Sequence, residues 1–236
     1  MLWCVLFLPW LAWGHVQISG TRVIYPANAR EVTLELTNKG STPSLVQVWI
    51  DAGDRRIRPG AEALPFLVTP PITRIEAQRG QSLRLAYLGQ GLPQDRQSVF
   101  WLNVLEVPPS VKSTQVGQNL VQLAFRSRIK MFYRPSGLAG SPAEAVSRLG
   151  WQGLEGGGLR VSNPGPFHIN LSEVLLSGPH LAWREGGVLP PYGSLSLPMA
   201  GAVPAGARGR LRWIDDDGNY HEQGFVLSRH VGERDE

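Results

Sequence analysis

The residues of this chain that could do chemistry are few and scattered, and their spacing argues against catalysis. No G-x-S-x-G nucleophile elbow, phosphate loop or G-x-G-x-x-G dinucleotide fingerprint occurs. The run Gly156-Gly157-Gly158 has neither the Lys of a phosphate loop nor a strand-to-helix setting, so it reads as a hairpin tip. Five histidines, His15, His168, His180, His221 and His230, show no i, i+4 pairing and no metal-type motif with nearby carboxylates. Asp215-Asp216-Asp217-Gly218-Asn219 opens like a calcium loop. Tyr220 and Val226, however, stand where an EF-hand needs Gly and Glu, and a hairpin turn is the better reading. No metal, cofactor or enzymatic activity is expected, and a secreted β-sandwich hydrolase is set aside for want of a nucleophile or paired carboxylates.

What carries weight is the stretch NLVQLAFRSRIKMFYRP, residues 119–135. Val121, Leu123 and Phe125 occupy one parity of an extended strand, with Gln122 and Arg126 on the other. Such a stripe faces either the core of its own domain or another molecule. Periodicity by itself favours the core.

The elements that position these residues read as strands. Val32, Leu34 and Leu36 alternate with Glu31, Thr33 and Glu35. β-rich runs follow at residues 45–50, 82–88, 99–107 and 120–133, and weaker ones at 159–162, 168–176, 195–197, 208–214 and 224–227. With 27 Gly and 19 Pro in 236 residues and only 18% charged residues, turns outnumber solvated helices, and an all-helical bundle is excluded. A hydrophobic share of 42%, eight Trp among it, excludes intrinsic disorder. The expectation is an all-β fold of two antiparallel sandwiches: residues 15–135, then a smaller domain over 136–236 beyond a Pro/Gly-rich linker at 135–142.

Two more features bound the setting. Residues 2–13, LWCVLFLPWLAW, are uncharged and too short to span a bilayer comfortably, and end near a small-x-small pattern. They read as a secretory signal over residues 1–14, although a basic n-region is missing. Cys4 lies inside it, so the mature fold has no disulfide and no thiolate metal site. The net charge of +4 is spread along the chain without a basic stripe, so nucleic acid is not an expected partner; nor is membrane insertion.

The blocks GTRVIYP (20–26), SLVQVWID (44–51), TPPITR (69–74), LPQDRQSVFWLNVLEVPP (92–109) and FRSRIKMFYRP (125–135) resemble, in order, the signature blocks of the periplasmic pilus chaperones, the PapD-like family. The resemblance implies two immunoglobulin-like sandwiches set in an L, a periplasmic location, and no enzymatic activity. It further implies donor-strand complementation, in which the strand closing the first domain fills the groove of a fimbrial subunit that lacks a strand of its own. The subunit then passes to an outer-membrane usher. On this reading Val121, Leu123 and Phe125 are the donated side chains, and Arg22 and Lys130 bind the subunit's C-terminal carboxylate. Arg134 and Asp216 fall at the family's inter-domain ion network, where Gln97 replaces the usual Glu. The interface is therefore expected to be looser or held by hydrogen bonds alone, with Asp95 and Arg96 fixing a local turn. The short loop at 108–118 resembles the branch serving rod-type pili. Self-association of the subunit-free chain is left open. The rival reading is a structural pilin or adhesin built on the same sandwich.

Overall fold

The computed structural model describes residues 16–89, 91–109, 122–154, 157–177, 182–199, 203–204 and 206–228. The expected signal at 1–14, Val121 and most of the 108–118 loop lie outside them. In the first half the strands are β1 (Val16–Ile18), β2 (Arg22–Pro26), β3 (Glu31–Asn38), β4 (Ser44–Asp51), β5 (Phe66–Thr69), β6 (Ile72–Ile75), β7 (Gly80–Tyr87), β8 (Ser98–Val107) and β9 (Phe125–Arg134). A short helix, α1 (Pro142–Ser147), follows. The second half contains β10 (Gly150–Gly153), β11 (Leu159–Ser162), β12 (Ile169–Leu176), β13 (Ala182–Trp183), β14 (Gly187–Leu189), β15 (Ser194–Leu197), β16 (Arg208–Ile214) and β17 (Tyr220–Val226).

The first half stacks a β1-β3-β7-β5 sheet on a β2-β9-β8-β4-β6 sheet. Alternation drives the packing: Leu34 and Leu36 of β3 and Leu83 and Leu85 of β7 meet Val46, Val48, Leu102 and Val104 of the other sheet in one core. The second half stacks β10-β11-β15 on β13-β12-β16-β17, with β14 also on β12, around Trp151, Ile169, Leu171, Leu211 and Trp213. Within the two core clusters no buried residue is shared.

Three expectations need correction. The pairs are antiparallel except β2 with β9, which is parallel and aligns Arg22 with Lys130. The run read over 120–133 forms a strand only from Phe125, and Gln122, Leu123 and Ala124 are not in it. Its ladder sets Phe125 against Glu106 of β8, so continuing it would bring the chain against Pro108 and Pro109, which have no N–H to donate. Gln122 Nε2 instead donates to the Pro108 carbonyl at 2.9 Å. The linker read at 135–142 ends in a helical turn: Ser141 caps α1, its hydroxyl accepting from Glu144 N at 3.2 Å, with Pro142 at the first helical position. The acidic run 215–219 is indeed the turn joining β16 to β17, where Asp215 Oδ1 accepts from Asp217 N and Asn219 N.

Candidate functional site

The site lies where β2 stops covering β9. On one side β8 pairs with β9 over all but the last residue of β9, from Glu106↔Phe125 to Ser98↔Tyr133. On the other, β2 pairs only from Arg22↔Lys130 to Pro26↔Arg134. Among the described residues nothing pairs with that side of residues 125–129, which leaves a sheet edge able to accept an added strand.

Side chains on the inward parity of β9 change character along it. Met131 and Tyr133 are buried in the first core, and Ile129 packs at its margin. Phe125 is 46% exposed, and Leu123, just before the strand, 60%. The apolar stripe thus emerges from the core and runs out along the open edge. The reading in which these residues face their own interior does not hold for Leu123 or Phe125.

At the other end of the open edge stand two cations. Parallel pairing sets Arg22 beside Lys130, and Arg22 Nη1 reaches across to the Ile214 carbonyl of β16 at 3.4 Å. Lys130 Nζ lies 5.7 Å from the centre of the Trp101 ring. Neither forms an ion pair among the described residues. Burial, and secondarily the neighbouring Arg22, push the Lys130 ammonium down to about 8. Burial likewise lowers Arg22, opposed by Asp216, Asp215 and Tyr220. Two desolvated cations side by side form a site that a carboxylate would stabilise through charge-assisted hydrogen bonds.

The second sandwich reaches Arg22 of this pair through the Ile214 carbonyl, and further contacts between the halves lie nearby. Arg134 Nη1 pairs with Asp216 Oδ2 at 2.8 Å, and its guanidinium carbon lies 5.4 Å from the centre of the Phe167 ring. Gln97 is buried; its N–H donates to the Pro166 carbonyl at 2.9 Å and its Oε1 accepts from His168 N at 2.8 Å. The expectation of hydrogen bonds alone is corrected: Gln97 supplies hydrogen bonds, and the Arg134–Asp216 ion pair remains beside them. Asp95 and Arg96 pair with each other at 2.7 Å and also meet Tyr192, whose hydroxyl donates to the Asp95 carbonyl at 3.3 Å. They help join the two halves as well as fix a turn.

Sequence reasoning placed Arg126 on the outward parity of β9 but missed what that face engages. Arg126 and Arg128 point to the outer sheet face and engage Asn103 and the fully buried Asp51. The R-x-R-x-K alternation at 126–130 was the available signal, but without the β4-β8-β9 order nothing tied it to Asp51. Among the described residues no group of His, Cys, Asp and Glu could hold a metal ion, and no helix is long and apolar enough to cross a membrane.

Comparison with known proteins agrees with this architecture. The family model for the pili and flagellar-assembly chaperone PapD N-terminal domain matches residues 15–139, and that for the pili assembly chaperone PapD C-terminal domain matches residues 144–225. The chain is 52% identical over 164 residues to the probable fimbrial chaperone YadV of Escherichia coli (strain K12), covering 67% of each chain. It is 42% identical over 210 residues to chaperone protein FimB/FhaD of Bordetella pertussis (strain Tohama I), covering 86% of this chain and 84% of that one. Among solved structures it resembles the Salmonella enterica SafB chaperone, determined in complex with the SafA pilin, with a TM-score of 0.77 and 32% identity over 90% of this chain and 96% of that one. Two sandwiches closed by an open-edged β9, with both family models matching in order, make this chain a member of the PapD family of pilus-assembly chaperones.

Proposed function

We propose that this chain is a non-enzymatic periplasmic chaperone that caps fimbrial subunits through the open edge of β9 and delivers them to an outer-membrane usher. Fimbrial chaperones of this family are periplasmic, and residues 1–14 would serve as the export signal. The observation that carries the reading is the continuity of the open edge at 125–129 with the Arg22–Lys130 pair. A client whose C-terminal carboxylate sits on the cations and whose last strand lies along 125–129 must run in the same direction as β2, hence parallel to β9. Main-chain hydrogen bonds would then hold the strand, Val121, Leu123 and Phe125 would enter the client's apolar groove, and the cations would fix the register. Arg134, Asp216 and Gln97 would keep the second sandwich against Arg22.

The test is recovery of a fimbrial subunit co-expressed with Arg22→Ala or Lys130→Glu. Both variants are expected to fold and to lose the subunit from the periplasm. Undiminished recovery with folded variants would overturn the assignment of the anchor.

A further inference from the structure

The N-terminal half of β9 poses a mechanical problem. Among the described residues, 125–129 have a ladder on one side only, and on the inward face Phe125 is half exposed, so the core holds little of it down. An edge so lightly held would be expected to fray. On the outer face, however, Arg126 Nε and Nη2 donate to Asn103 Oδ1 at 2.9 and 2.7 Å, and Nη1 donates to the Arg55 carbonyl at 2.7 Å. Arg128 Nε donates to Asp51 Oδ2 at 3.2 Å and its Nη2 to Asp51 Oδ1. Asn103 Nδ2 closes the circuit on Asp51 Oδ2 at 2.7 Å. Each guanidinium also covers an indole, Arg126 over Trp49 at 4.8 Å and Arg128 over Trp101 at 4.1 Å. The network crosses from β9 over β8 to β4.

Resting on the donor-strand reading, we infer that Arg126 and Arg128, through Asn103 and Asp51, act as positioning residues that hold residues 125–129 extended before any client arrives. The arrangement suits that task because its guanidinium, amide and carboxylate groups are matched to one another. Burial would raise the Asp51 carboxyl, but hydrogen bonds from Arg128, Asn103 and Gly53 outweigh it and hold the group below its ordinary value. Asp51 therefore stays an acceptor for Arg128 directly and for Asn103, which in turn accepts from Arg126. A strand ordered in advance spares the client the entropy of ordering it, so the clamp contributes to affinity without touching the client.

Arg126→Gln removes one arm and leaves the Asp51–Arg128 pair intact, so no buried charge is stranded. Arg126→Lys keeps the charge without the fork. Two readouts are needed: amide hydrogen exchange in the client-free protein, and affinity for a synthetic peptide of alternating apolar residues with a free C-terminal carboxylate, beside its amidated twin. In Arg126→Gln, exchange at 125–129 is expected to quicken about tenfold with 131–133 and the second sandwich unchanged, and affinity for the free-acid peptide to fall by a similar factor. Arg126→Lys should lie between. Unchanged exchange at 125–129, or exchange quickened throughout the first sandwich, would overturn the clamp, as would local quickening with full affinity. Lys130→Ala in the same titration separates the two ideas. Loss of binding there with none in Arg126→Gln rejects the clamp and leaves the donor-strand reading intact. Equal binding of free-acid and amidated peptides by every variant rejects both.

Discussion

Lys130 carries a cost that its proposed role would explain. Its ammonium is held at about 8 by burial and by Arg22, whereas an unfolded chain would titrate it near 10.5. Between those values the unfolded chain binds more protons, so the burden on stability is full below about 8 and is relieved as pH rises towards 10.5. Lys130→Met should therefore raise the thermal midpoint of the client-free protein at neutral pH, by the equivalent of about 1 to 3 kcal/mol, while abolishing carboxylate-dependent binding. Calorimetry beside peptide titration checks both arms; a destabilised variant would contradict the unfavourable burial. The same group gives binding a pH profile: as the free protein loses the Lys130 proton above about pH 8, affinity for a free-acid client should decline, and Lys130→Arg should flatten that decline.

At the scale of the strand, the decisive residue is Phe125, whose ring is half exposed at the mouth of the first sandwich. Removing it exposes little of the chaperone's own core, so Phe125→Ala should leave the thermal midpoint nearly unchanged. It should weaken client binding by about 1 to 2 kcal/mol, roughly tenfold, measured by titration. A large loss of stability with unchanged affinity would mean that the ring serves the core. Much of this strand was legible beforehand. The parity of Leu123 and Phe125 and the strand character of 125–133 came from alternation and β-branched or aromatic content. Its starting point did not, because the register against β8 that ends at Pro108 is a tertiary fact. The parallel partner β2 escaped for a similar reason: five residues, RVIYP, are too short for periodicity, and pairing between segments a hundred positions apart leaves no local mark. The outward side of Arg126 followed from alternation, but what Arg126 and Arg128 engage did not, since their buried partners Asp51 and Asn103 sit on other strands.

Across the whole molecule, the contacts through which the two sandwiches meet include a histidine. His168 is half-buried against Phe132, and desolvation lowers its imidazole to about 4. The folded protein keeps it neutral, while the unfolded chain protonates it near 6.5, so stability is intact above that value and is lost as pH falls towards 4. Thermal midpoints recorded across that window should fall in the parent and fall less steeply in His168→Phe, the difference amounting to at most about 3 kcal/mol. Superimposable curves would mean that this group does not report on the interface. Holding the halves together matters because Arg22 reaches the Ile214 carbonyl of the second sandwich from β2 of the first, so a loosened interface would disturb the anchor at the end of the open edge. The most direct measurement is a crystal structure of the chain with a fimbrial subunit or its free-acid C-terminal peptide. The client strand is expected parallel to β9 along residues 125–129, its carboxylate within hydrogen-bond reach of Arg22 and Lys130. A client bound elsewhere, or antiparallel to β9 with its carboxylate away from those cations, would contradict the proposal.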